Sequence, residues 1–145
     1  MTLTAAEPVL TAFRDHLRLH LPQRVDGRDL VIEKDAKSWA APLVLVELAT
    51  PPNLTRFAMG GHDWATLGVQ TTAVMAGRQQ ARLLGDQIRT ALVALTPRGK
   101  PLNPLTLPGH AVLEITSAGD GYADNSGTEA GRTAQWVETY TIRYT

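Results

Sequence analysis

At Gly77 the hydrophobic period of this chain changes from two to about 3.6, and that change limits the possible folds more than any other feature of the sequence. Before it, Leu67, Val69, Thr71, Ala73 and Met75 alternate with Gly68, Gln70, Thr72 and Val74, the pattern of a strand over 64–75. After it, Ala81, Leu84, Ile88, Ala91, Leu92 and Leu95 fall on one stripe, with Arg78, Arg82, Asp86 and Arg89 off it, which predicts a helix over 78–95. Asp86 can pair with Arg82 or with Arg89, either pair contributing about 0.2–0.5 kcal/mol. A strand that leads straight into an amphipathic helix must bury both apolar faces in one core, so the chain calls for helices packed on a sheet.

The remaining segments fit that demand. Over 5–21, Ala6, Leu10, Phe13, Leu17 and Leu21 make a single helical stripe; Thr4 is the expected N-cap, Glu7 its capping-box partner, and Pro22 the stop. Arg14, Asp15, Arg18 and Gln23 read as its wet face. Residues 24–37 are polar, with a turn at Asp26-Gly27 and a short strand possible at Leu30-Val31-Ile32. The run from Pro42 to Leu48 reads as a strand buried on both faces and ended by Thr50-Pro51-Pro52-Asn53. Four prolines between Thr96 and Gly109 predict a stiff loop. A strand follows over 110–117, with Ala111, Leu113 and Ile115 on one face and Val112 and Glu114 on the other. A second long loop occupies 118–133. The chain closes in a strand over 135–144 that puts Trp136, Tyr140, Ile142 and Tyr144 on one face and Val137, Thr139, Thr141 and Arg143 on the other. The expectation is one α+β domain over 1–145. It has a four- to five-stranded, mostly antiparallel mixed sheet, two helices packed on one face, and long polar loops.

Composition narrows the function. At 145 residues the chain is one domain long. Its 14 Lys and Arg balance 14 Asp and Glu, which argues against a generic nucleic-acid binder and a polybasic membrane-surface protein. The absence of cysteine removes disulfides, thiolate metal sites and cysteine nucleophiles. The N-terminal residues lack a basic region and meet Glu7 and Pro8 early, so a protein used without export is expected. His16 and His20 share a helix face, but Leu17 stands where a zincin helix needs glutamate, so both read as ordinary histidines on the helix surface. The acidic stretch from Asp120 puts Tyr122 and Asn125 where a calcium loop needs Asp or Asn and then Gly. His62 sits beside Asp63, but neighbours in sequence rarely orient one another and no nucleophile elbow accompanies them. Arg98-Gly99-Lys100 lacks the spacing of a phosphate loop. Trp39, Trp64 and Trp136 read as sheet-packing residues. No catalytic residue, metal ligand or cofactor is expected. Partner contacts are expected in the two loops that combine aromatic and arginine anchors with glycine: Arg56, Phe57 and His62 in one, Tyr122, Asp124 and Arg132 in the other.

The order of these elements resembles the tail terminator proteins of long-tailed bacteriophages, also called tail completion or minor tail proteins. The resemblance lies in the N-terminal helix, the approach from Trp39 to Pro42 into the strand 43–48, the strand 64–75, the helix from Arg78 through Leu92 and the closing strand 136–144. It implies a non-enzymatic structural protein of the virion, made in the host cytoplasm. Such a protein forms a homo-oligomeric, hexameric ring at the head-proximal end of the tail tube, stops tube polymerisation, and joins the tail to the head connector. The implied partners are further copies of the chain, the tail tube protein, and the connector or head-closure protein. Another neck adaptor, or a small enzyme or ligand-binding domain using the His62 loop, are the alternatives.

Overall fold

The computed structural model describes residues 6–21, 24–27, 43–55, 64–117, 122–126 and 133–145. It contains two helices, α1 (Ala6–His20) and α2 (Arg78–Val93), and strands β1 (Arg24–Gly27), β2 (Leu43–Thr55), β3 (Trp64–Met75), β4 (Val112–Ser117), β5 (Tyr122–Ser126) and β6 (Thr133–Tyr144). β3 and β6 pair antiparallel without a register shift from Ala65↔Tyr144 to Met75↔Ala134, and form the middle of the sheet. β2 pairs antiparallel with β3 on one side and β4 with β6 on the other, giving a four-stranded antiparallel body. β1 adds in parallel along Leu43–Val46 and makes the sheet mixed. β5 pairs with the first half of β6 and β4 with the second, so the two occupy one line. The fold is α+β, as the periodicity predicts.

Both helices cover one face. There the alternating residues Val44, Val46, Leu67, Val69, Tyr140 and Ile142 meet Phe13 and Leu17 of α1 and Leu84 and Ile88 of α2 in a single core. α1 lies over β1 and β2, and α2 over β3 and β6. Gly77 caps α2 in an extended conformation, two residues after β3 ends at Met75. On the opposite face Leu43, Leu45 and Val74 form a smaller buried cluster. Residues Leu43 to Val46 are buried in succession, as expected for a strand covered on both faces. No helix among the described residues is long and apolar enough to cross a membrane.

Several expectations are corrected. β2 does not stop at Pro51-Pro52 but runs to Thr55, with register shifts on either side of Thr50. Pro51 and Pro52 fall inside the second shift, between the pairs Thr50↔Gly68 and Asn53↔Thr66, and beyond the reach of β1, so among the described residues their missing N–H groups break no ladder. Asp26-Gly27 is strand rather than turn, because Leu45 and Val46 offer it a partner. Leu95 lies beyond the end of α2 and is 62% exposed, while Gly85 joins the buried stripe. An irregularity between Val112 and Glu114 in β4 breaks the simple alternation: Val112 and Ile115 both pack on the core, and Leu113 faces out. The expected loop over 118–133 contains β5. Thr4, Gln23 and the possible strand at Leu30 to Ile32 lie outside the described residues. The proline loop behaves as expected. Gly99 and Gly109, at φ 78 and 77, close tight turns that only glycine adopts without strain, and Leu105 and Leu107 anchor the loop in the core.

Ile88 sits at the centre of the α2 stripe and is almost fully buried. Ile88→Ala is expected to cost about 2–5 kcal/mol in denaturant unfolding, as other large-to-small core changes do; a loss under about 0.5 kcal/mol would place this face in solvent.

Candidate functional site

The densest polar cluster lies under α2. Even-numbered residues of β6 face the helices, so Glu138 points inward between Trp136 and Tyr140, and it is only 3% exposed. A carboxylate there needs donors on both oxygens. Arg89 of α2 supplies a bidentate grip, Nη2 to Oε1 and Nε to Oε2, the latter at 3.3 Å. Trp136 Nε1 donates to Oε1 at 3.3 Å, and the Tyr140 hydroxyl donates to Oε2. Burial, reinforced by the bond to Glu138, pushes the Tyr140 phenol well above its ordinary range. Trp136 fits only because Gly85 lacks a side chain: a methyl group there would come within 2.6 Å of the indole Nε1. The four donor bonds take up the carboxylate, so the cluster is a clamp between helix and sheet and leaves no open position for a substrate. The sequence signal for it was a glutamate in phase with Trp136 and Tyr140, one residue the face assignment did not place.

A second polar feature lies between the helices. His16, expected on the wet face of α1, is 6% exposed, and its Nε2–H donates to the Ala91 carbonyl at 2.8 Å. That carbonyl belongs to the last turn of α2, where intrahelical donors run out. Burial lowers the His16 pKa; the bond to Ala91 opposes this in part, and His20, its ring centroid 4.6 Å away, adds to the lowering. The two histidines border a cleft of about 630 Å³ between α1 and the proline loop, with Ala12, Leu19, Leu105 and Pro108 among its walls. The acids on this rim are already paired, Glu7 with Arg14 at 3.2 Å and Asp15 with Arg18 at 3.1 Å. Arg14 is nearly buried against them rather than wet. Among the described residues no three His, Asp or Glu side chains come together as a metal site.

The third feature is a cleft of about 360 Å³ beside β4. Its walls are the end of α2 (Leu92, Val93), the turn around Gly99, the proline loop, and the five consecutive residues Val112 to Thr116. A sheet face presents alternate residues; a lining of consecutive residues runs along a strand's edge. Glu114 in that lining is paired with Arg143 at 3.0 Å, which also lies 5.6 Å over the Trp64 ring.

Two of the six sequence-predicted contact residues, Tyr122 and Asp124, fall among the described residues. Arg56, Phe57, His62 and Arg132 lie outside the described residues. Tyr122 and Asp124 belong to β5, where their backbones pair with Val137 and Gln135, so they sit in a strand rather than a loop.

Two tyrosines on the same face of β6 separate the clamp from simple packing. The Tyr140 hydroxyl bonds Glu138, whereas the Tyr144 hydroxyl is buried with no partner. Tyr140→Phe is expected to destabilise by about 1.5–3 kcal/mol, the range for a bond to a charged group, and Tyr144→Phe to be neutral or stabilising in the same urea titrations. His16 gives a pH dependence. Its folded pKa lies below the ordinary 6.5, so the unfolded chain binds the proton more readily. The His16 contribution to stability is therefore complete above pH 6.5 and shrinks as the pH falls below it. The stability difference between wild type and His16→Gln should narrow from pH 7.5 to pH 5 in thermal melts; a difference independent of pH would show that the ring is not held neutral. Set against known protein families and against functionally characterised proteins, the chain matches none of them.

Proposed function

We propose that this chain is a structural assembly protein of a long-tailed phage, a tail-terminator-like subunit that closes into a ring at the end of the tail tube. One observation supports this reading above the alternatives. Among the described residues, the buried groups that could do chemistry are spent on packing, while large apolar side chains are left outside. Glu138, Arg89, Trp136 and Tyr140 bond one another, and His16 ties α1 to α2. Leu95, Leu102 and Leu113 stand exposed on or near one end of the sheet, and Leu19 and Leu83 on the helices. A catalytic domain needs the opposite arrangement, with polar groups converging in a pocket.

The sheet also suits a ring in its shape. Its two ends differ, with short parallel β1 under α1 at one and antiparallel β4 at the other. A ring is built from heterologous contacts, in which two unlike surfaces of each copy meet and the rotation closes. In this reading the partners are further copies, the tube protein and the head connector.

Light scattering on the purified chain, with negative-stain microscopy, tests the proposal. The expected result is a closed ring of about six times the 15.7 kDa chain mass, and capping of tail tubes when the two are mixed. A monomer at tens of micromolar that leaves tube length unchanged would overturn it.

A further inference from the structure

The cleft beside β4 has the properties of a strand-addition site, and we propose that it takes an extended, acid-bearing segment of a different protein. This deepens the assembly reading and rests on it for the partner being a protein. β4 is hydrogen-bonded to β6 along one edge, and no described strand pairs with its other edge. The cleft follows that open edge, since its lining is the unbroken run from Val112 to Thr116. An added strand gains main-chain hydrogen bonds along such an edge and sets alternate side chains into whatever lies beside it. Here that is apolar: Leu92 and Leu105 at the base, Val112 and Ile115 half-buried, and Leu113, 49% exposed, at the rim.

Charge decides the kind of segment. The Gly99 turn forms part of the wall, and its neighbours Arg98 and Lys100 are exposed and have no acidic partner among the described residues. The one acid in the lining, Glu114, is neutralised by Arg143. Neither cation lines the cleft itself, but both flank the turn that does, so the rim is locally positive on a chain whose net charge is zero. A segment with acidic side chains flanking apolar ones complements it. A two-fold copy does not, since it sets each patch against itself and brings Arg98 and Lys100 against their own kind; a ring neighbour presenting its β1 end instead is the outcome that light scattering separates.

The probe is an acetylated heptapeptide alternating Glu and Val, with a Lys–Val counterpart as control, titrated into the isotope-labelled full chain. The acidic peptide is expected to shift amide resonances around the cleft and to slow hydrogen exchange along Val112–Ser117. It should bind at least tenfold more weakly to Arg98→Glu/Lys100→Glu, and more weakly at 500 mM salt than at 50 mM. Both substituted positions are exposed, so the variant should melt like wild type. Leu113→Lys, another exposed position, should also weaken binding. Equal affinity for the two peptides, or an unchanged affinity in the charge-reversed variant, would overturn the proposal. Light scattering of the same variant separates the two readings. An intact ring with lost peptide binding supports a foreign strand at β4. Loss of the ring, with no peptide binding in wild type, assigns the edge to a second copy and overturns it. Peptide binding by a wild type that forms no ring leaves this site standing and removes the ring.

Discussion

A carboxylate withdrawn from water must be met by donors on both oxygens, and Glu138 imposes that condition at the middle of the central strand. The rest of the structure arranges itself around it. Arg89 reaches the carboxylate only if α2 lies across β6 with that face down, so one ion pair fixes both the position and the rotation of the helix. Trp136 donates from the strand side and occupies the space between them, which leaves room for a glycine and nothing larger at position 85. With α2 so placed, its last turn offers the Ala91 carbonyl to His16, and α1 is set against α2 in turn. The pair is a positional device more than a source of stability. Two charges lose much of their attraction to desolvation, but removing one partner leaves the other stranded.

Much of this fold was legible in the sequence because the main elements have clean periods. The alternation over 64–75 and the stripe after Gly77 set β3 and α2, and the observed strand ends at the expected residues. What the sequence hid has physical causes that depend on neighbours. Prolines usually end a strand; Pro51 and Pro52 did not here because they sit in an irregularity of the β2–β3 register and beyond the end of β1, where no described partner needs their amides. Leu113 and Val112 exchanged roles because an irregularity in β4 added a residue to the count, and an irregularity is invisible to a period-two reading. His16 looked like a surface residue because its partner is a backbone carbonyl 75 residues away, which carries no side-chain signature. Glu138 carried a signal that the face assignment passed over: a charge in phase with aromatic residues on a buried face is a demand for a partner.

The candidate functional residues were harder to read than the fold. The aromatic and arginine anchors chosen from the loops fall mostly outside the described residues, and the two that are described belong to a strand. The structure directs attention to a strand edge, a feature with no residue type of its own. The overall charge balance misled in the same way. A sum of zero hides which charges are already cancelled. Glu7 with Arg14, Asp15 with Arg18 and Glu114 with Arg143 neutralise one another locally, and Arg89 serves Glu138. Arg98 and Lys100 stand apart from this pairing, so a neutral chain still presents a basic patch.

An open strand edge is a hazard for a protein present in many copies, because any exposed strand can add to it. The end of the sheet at β4 carries features that restrict what can. The irregularity after Val112 breaks the regular spacing of the edge, so only a segment whose hydrogen-bonding groups match that spacing pairs along its length. The proline loop walls the cleft on its far side and, its amides interrupted at Pro97, Pro101, Pro104 and Pro108, offers no regular second edge to extend the sheet. The cations around Gly99 repel an identical edge and favour an acidic one. Each restriction leaves the apolar wall intact for the right segment. Under the proposed assembly role this combination separates two requirements that would otherwise conflict: β4 of a free subunit must not pair with β4 of another copy, and the same surface must still be available when the partner arrives.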